Sequence, residues 1–530
     1  MRAVSNRFGV DTKPETALAA SHGEMLNFRG QGVLPFEVCC PLKSFAFPMP
    51  PALATVAGRQ FKAPLAPEPS EDARHRAAPS GLPRRQRLLA VTPIVITVAL
   101  ATLDAAIANT ALPTIATDLH ARAADSIWIV NAYQLAVMIS LLPFASLGEI
   151  FGYRRVYIFG LVLFTAASLV CALAWSLPSL AIARALQGLG AAGLMSVNTA
   201  LVRFIYPTRW LGRAVGFIAF VVAVAAAIGP TVASAILSVA TWPWLFAVNV
   251  PFGIVAVVLA LMSLPHTRRS PHRFDWLSAI LNAGTFSLLI LAIGEAAHEA
   301  PLGLTLGELS AAMLFGVALI WRQMSLPAPM LPVDLFARPI FALSSLTSAC
   351  SYACQGAAFV ALPFYLQGVL GRSQVETGLL MTPWPMAVAL TAPLAGRLSE
   401  RYSVGLLGGS GLVVLSIGMA CLTLMPPAPS VFDICWRMAV CGAGFGFFQS
   451  PNLKALLASA PPERAGGASG IIATSRLLGQ TIGAALVALC LGLLSMHGTL
   501  AALGVGAGFA AAASLASFLR LAVPQSGGGV

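Results

Sequence analysis

The sequence predicts an all-α polytopic membrane protein of fourteen transmembrane helices built on a duplicated bundle. Three observations predict it. The 530 residues are 57% hydrophobic and only 10% charged, where a soluble domain carries about 25% charge. Fourteen apolar stretches of membrane-spanning length follow one another, and inside a bilayer each must be a helix, because only a helix satisfies its own backbone. A short acid-and-arginine loop occurs twice, from Ala145 to Arg155 and again from Gly396 to Tyr402. A loop repeated at corresponding places in two apolar halves marks a duplicated bundle.

In chain order, residues 1–86 are rich in Pro and Ala and contain no long apolar run. They are expected to form a disordered cytoplasmic tail, with Met25 and Met49 as alternative starts. Arg84, Arg85 and Arg87 then hold the start of the first span in the cytoplasm. The spans are expected near 89–112, 126–147, 156–176, 179–202, 212–237, 242–263, 275–295, 303–321, 340–367, 375–396, 404–425, 431–453, 467–494 and 498–519. This divides the chain into an N-terminal bundle (87–264), a linker carrying spans seven and eight (265–338), a C-terminal bundle (339–520) and a tail (521–530).

The loop charges agree with that count. Arg154 and Arg155, Arg203 and Arg213, Arg268 and Arg269, Arg322 and Arg338, Arg397 and Arg401, and Lys454 fall in alternate loops, whereas the loops between them carry only Arg122 and Arg372 beside several acids. By the positive-inside rule both termini are cytoplasmic. The formal net charge of +12 is therefore a topology signal and not a nucleic-acid footprint. Seven scattered histidines, no zinc spacing and no nucleophile–base pair argue against an enzyme. Cys350 and Cys354 lie one turn apart but have no His or acid with them, so neither a metal nor a cofactor is expected. No phosphate-binding loop is present, which argues against ATP as the driver.

Candidate functional residues come from polar groups inside apolar spans. Asp104 lies well inside the first span, where an acid costs about 2.5–3.5 kcal/mol on insertion. Burial favours its neutral form and fits it to take up and release a proton. The alternative is a structural acid bonded to Asn109 or to an arginine of a neighbouring helix. Arg184, within the fourth span, needs an anionic or carbonyl partner; Gln187 follows one turn later, and the alternative is a packing arginine that snorkels. Gly229 and Pro230 are expected to kink the fifth span. Glu149, Gly152, Arg154 and Arg155 read as a cytoplasmic latch echoed by Glu400 and Arg401; positive-inside topology plus a tight turn is the simpler explanation. Trp128, Tyr133, Gln134, Asn452 and Arg476 complete the cavity candidates.

These stretches carry a resemblance. Ala145 to Arg155 resembles the cytoplasmic signature loop of the major facilitator superfamily, with Glu149 where an aspartate is usual. Asp104 to Pro113, Arg184 to Gly190 and Gly229-Pro230 are similar to the first-, fourth- and fifth-helix signatures of its fourteen-span drug–proton antiporter branch. Trp242 to Pro251, Phe274 to Trp276, Gly442 to Asn452 and Arg476 to Gln480 are also typical of that branch. The resemblance implies the major facilitator fold, two six-helix bundles with spans seven and eight inserted between them, and a proton-coupled carrier that exports drugs or other lipophilic or cationic compounds by alternating access. Its expected partners are a small-molecule substrate, protons and the lipid bilayer. It is expected as a monomer in a bacterial inner membrane, compatible with periplasmic or outer-membrane accessory proteins. The alternatives are an exporter or uptake carrier of one metabolite and, in another class, a non-transporting scaffold or sensor.

Overall fold

The computed structural model describes residues 82–523 apart from 268–273, 298–300, 327–332, 460–464 and 495–496. The expected tail up to residue 81 lies outside the described residues, as do Arg268 and Arg269. Within them, fourteen helices are long and apolar enough to cross a membrane.

The first six are α1 (Arg84–Asp118), α2 (Trp128–Phe151), α3 (Tyr153–Ala172), α4 (Leu177–Ile205), α5 (Thr208–Leu237) and α6 (Asn249–Ser263). Then come α7 (Trp276–Ala297) and α8 (Leu302–Ser325). The last six are α9 (Pro339–Phe364), α10 (Gln374–Leu398), α11 (Val404–Thr423), α12 (Val431–Ser459), α13 (Ala465–Leu494) and α14 (Gly498–Leu519). Each expected span has its helix. The first begins five residues earlier than expected, at Arg84, because Arg87 folds back onto the Leu82 carbonyl and lies over the rings of Tyr206 and Trp210.

Local chemistry sets the helix ends. Ser176 and Ser179 cap α4 reciprocally, with Pro178 in the first turn; Ser373 and Glu376 do the same for α10. In each case two otherwise unpaired N–H groups find acceptors. Between α2 and α3 the chain turns in a single residue, Gly152, whose φ of 97° disfavours any side chain.

Helices α1–α6 pack on one another, with α4 between α2 and α3 and with α1 against α5 and α6; α9–α14 form the second bundle. Packing between apolar helices in lipid depends on close backbone approach, which small residues permit. At the α3–α4 contact, a Cβ on Gly160 would press on the Gly190 carbonyl, and one on Gly190 would strike the backbone of Phe164. The inserted pair is asymmetric. Helix α7 packs on α8 and also on α2 and α13, one helix from each bundle. Helix α8 buries only 11% of its apolar window, against 72% for α9. It is therefore a rim helix facing lipid, whereas α9 is central.

Two predictions follow from this arrangement. Gly190→Ala should destabilise the detergent-purified protein by about 1–3 kcal/mol through overpacking. Gly216→Ala, where a Cβ meets nothing within 4 Å, should leave the thermal unfolding midpoint in place. Reporter fusions after Gly303 and after Leu326 should read opposite sides of the membrane, the first external and the second cytoplasmic; both on one side would remove α8 as a span.

Candidate functional site

Asp104 sits on the inward face of α1 and is not alone among the Ala, Ile and Leu that surround it in sequence. Its Oδ2 accepts a hydrogen bond from Arg184 Nη1 of α4 at 2.5 Å, and both side chains are 1% exposed. Its Oδ1 accepts from Gln187 Nε2 at 2.9 Å and from Asn249 Nδ2 of α6 at 2.8 Å. Arg184 also donates to Gln187 Oε1 and, through Nε, to the Ile129 carbonyl at the start of α2. Gln187 continues to Ser168 of α3. One carboxylate and one guanidinium thus tie α1, α2, α3, α4 and α6 together. A buried charge is tolerated when it is paired and its remaining valences are satisfied, and here they are. Of the two alternatives for Asp104, the arginine partner holds; Asn109 takes no part, and its Oδ1 is buried without a partner inside the protein.

The guanidinium of Arg184 lies 4.3 Å from the ring centre of Tyr133 on α2. Tyr133 is also within electrostatic reach of Arg476 on α13 of the second bundle. The ring therefore stands between the buried pair and the seam between the bundles. Next to it, Gln134 accepts a hydrogen bond from Thr481, and Gln480 donates to Gln355 of α9.

Four further hydrogen bonds among the described residues join the bundles, all at the end opposite the Ala145–Arg155 loop. Gln367 bonds to Thr114 and to the Thr110 carbonyl, Thr231 to Thr382, and Ser234 to the Gln374 carbonyl. Gly229 and Pro230 belong to this contact. A Cβ on Gly229 would strike Ala106 of α1, and Gly378 of α10 lies directly against the Pro230 carbonyl and Ser234. The proline position on α5 is thus a crossing point between bundles.

The expected latch is placed differently. Arg154 donates to the Leu261 carbonyl and contacts the His266 ring, both in its own bundle. Thr267 accepts from the Tyr153 amide and closes over Gly152. Glu149 and Arg155 are exposed. Glu400 and Arg401 are also exposed, and their side chains make no ion pair among the described residues.

Two cavity candidates are placed elsewhere. Trp128 packs its ring beside Gly294 of α7. Asn452 is 1% exposed and binds the Ser344 carbonyl, Ser348 and Arg520, so it belongs to the packing of the second bundle. Asn249, Ser168 and Arg520 are network members that were not singled out among the sequence candidates.

The model of the Major Facilitator Superfamily matches residues 94–484. The chain belongs to that superfamily. It is 55% identical over 448 residues to the Escherichia coli protein named Uncharacterized transporter YebQ, covering 84% of this chain and 98% of that one. It is 30% identical to the Riboflavin transporter RibZ of Clostridioides difficile, covering 76% of this chain and 87% of the relative. It is also 30% identical to the Multidrug resistance protein Stp of Mycobacterium tuberculosis, covering 73% and 72%. The protein is thus a multi-pass membrane transporter of a small molecule and not an enzyme.

The buried pair makes a stability prediction. Asp104→Ala leaves Arg184 charged and uncompensated and should cost about 3–5 kcal/mol. The double variant Asp104→Ala with Arg184→Leu should recover much of that loss in thermal unfolding of the detergent-purified protein. An unfolding midpoint unchanged by Asp104→Ala alone would mean that the pair contributes nothing to the bundle.

Proposed function

We propose that the protein is a proton-coupled secondary transporter that exports lipophilic, drug-like compounds by rocking its two bundles about a seam. It would act as a monomer in the inner membrane with both termini cytoplasmic. The observation that carries the coupling is the Asp104–Arg184 pair, sealed from water and joined through Tyr133 to the seam. A proton reaching Asp104 neutralises the carboxylate and leaves Arg184 as an uncompensated buried cation. That state is costly, so it drives Arg184 toward another acceptor and disturbs Tyr133 at the seam. Loss of the proton on the other side restores the pair. A transporter needs such a two-state element whose balance both ligand and proton shift.

The position of the inter-bundle bonds supports the same reading. With the topology expected from the loop charges, four of the five lie on the external side, which corresponds to an inward-facing state. Kinship with Stp favours drug-like cargo and export. The latch loops then act in the opposite, outward-facing state, where Glu149, Arg154 and Arg155 come near the second bundle.

Asp104→Asn tests the coupling, because it mimics the protonated acid permanently while keeping its volume and hydrogen-bonding capacity. In proteoliposomes it should insert normally and lose transport driven by an imposed pH gradient, by at least about tenfold. Asp104→Glu should retain part of it with a displaced pH optimum. Wild-type rate and pH profile in Asp104→Asn would make the pair structural and move the coupling acid elsewhere.

A further inference from the structure

The seam carries a second ionisable group whose environment is the reverse of Asp104. Arg476 lies eleven residues along α13 (Ala465–Leu494), roughly 16 Å from its start at the helical rise. Its Nε is buried and has no hydrogen-bond partner within the protein. Among the described residues its guanidinium makes no hydrogen bond or ion pair at all. An arginine at such depth is expensive unless an anion or a set of carbonyls answers it. The two buried arginines obey that rule: Arg184 has Asp104, and Arg520 donates to Ser344, Asn452 and Ser517.

Arg476 does not face lipid. The adjacent Leu477 is packed into the N-terminal bundle's apolar core, which puts this stretch of α13 at the seam. Gln480, one turn along the same face, pairs with Gln355, and Thr481 pairs with Gln134. The guanidinium therefore stands at the seam among neutral amides, a hydroxyl and one aromatic ring. Asp104 has both oxygens already engaged by Arg184, Gln187 and Asn249. A lipophilic cation, the cargo class the sequence resemblance suggests, would meet an unneutralised positive charge here and no free acid.

We propose that Arg476 is the anchor for an anionic group on the transported molecule, a carboxylate or phosphate on an otherwise apolar body. The planar guanidinium presents paired N–H donors that match those groups bidentately. Gln480 donates to Gln355 and Gln134 accepts from Thr481, each at 3.3 Å, long bonds that a ligand can exchange for its own. The Tyr133 ring supplies an apolar face and contacts Arg184 on its other side, so an occupant at Arg476 touches the element that responds to the proton. This assignment rests on the chain acting as a carrier and narrows its cargo to organic anions.

The test uses the full chain in nanodiscs of phosphatidylcholine, so that no anionic headgroup competes, with fluorescein and salicylate as anionic probes and ethidium and tetraphenylphosphonium as cationic ones. Wild type should bind an anionic probe in preference to both cations. Arg476→Gln should weaken that binding at least about tenfold, as expected for a lost charge-assisted hydrogen bond. Arg476→Lys should keep part of it, and Arg476→Glu should reverse the preference toward ethidium. Should Arg476→Gln fail to fold, the Lys variant's selective loss of anion over cation binding carries the same test. Equal binding of anions by wild type and Arg476→Gln, or binding of cations alone by wild type, would overturn the proposal; the second result also covers an arginine satisfied by water or by lipid headgroups only. Transport of a bound probe with and without a pH gradient separates the two readings. Loss of gradient dependence removes proton coupling and leaves the anion site standing, whereas unchanged binding in Arg476→Gln removes the site and leaves coupling standing.

Discussion

A carboxylate and a guanidinium buried together in an apolar bundle cannot be left partly satisfied, and the packing of the first six helices follows from that constraint. The two oxygens of Asp104 take donors from α4 and α6, while Arg184 reaches back to the Ile129 carbonyl at the head of α2. Each bond fixes the rotation of one helix about its own axis. Lipid offers little driving force for association between apolar helices, so these polar ties and the glycine contacts of α3 with α4 set the bundle's geometry. The cost is that the bundle depends on the charge state of one residue.

The second bundle solves the same problem without that dependence. Arg520, just beyond α14, is 7% exposed and donates to Ser344 of α9, Asn452 of α12 and Ser517 of α14. No carboxylate answers it among the described residues. Burial pushes its pKa down to about 10, which still leaves it charged at neutral pH. Its acceptors are neutral oxygens that do not titrate. One bundle is thus held by a carboxylate–guanidinium pair and the other by bonds to neutral oxygens. On the proposed coupling, α1–α6 would respond to pH and α9–α14 would be the passive partner.

Much of this was legible in the sequence, and the limit is physical. Fourteen apolar runs gave fourteen helices, because in a bilayer backbone satisfaction leaves one solution per run. Asp104 and Arg184 stood out because ionisable residues inside spans are costly. Their pairing was one of the alternatives the sequence left open, since 80 residues separate them and the orientation of a helix about its axis is set by its neighbours. Asn249 lies within a recognisable stretch but looks like any other polar residue near a span's start. Arg520 lies just past a span's end, where basic residues are common, and only burial distinguishes it from Arg397 or Arg401, which stay exposed. The latch loops were legible as turns with charges, and a loop whose partner changes with conformation cannot declare that partner in one sequence.

The seam is weak where the bundles are strong, and the difference in kind matters for movement. Among the described residues, five hydrogen bonds between neutral groups join the halves, each worth about 0.5–1.5 kcal/mol net, and most sit at one end. Exchanging them for contacts at the other end is within reach of a bound ligand and a proton. Helix α7 limits how that exchange can happen. Asn282 donates to the Ile139 carbonyl of α2, and Phe286 packs on the N-terminal core, so α7 is bonded to the first bundle. Its contact with α13 carries no hydrogen bond among the described residues. When the bundles rock, α7 therefore travels with α2 and slides along α13, the helix that bears Arg476. The inserted pair then keeps that side of the seam covered from lipid throughout the movement, which a charged group at the seam requires.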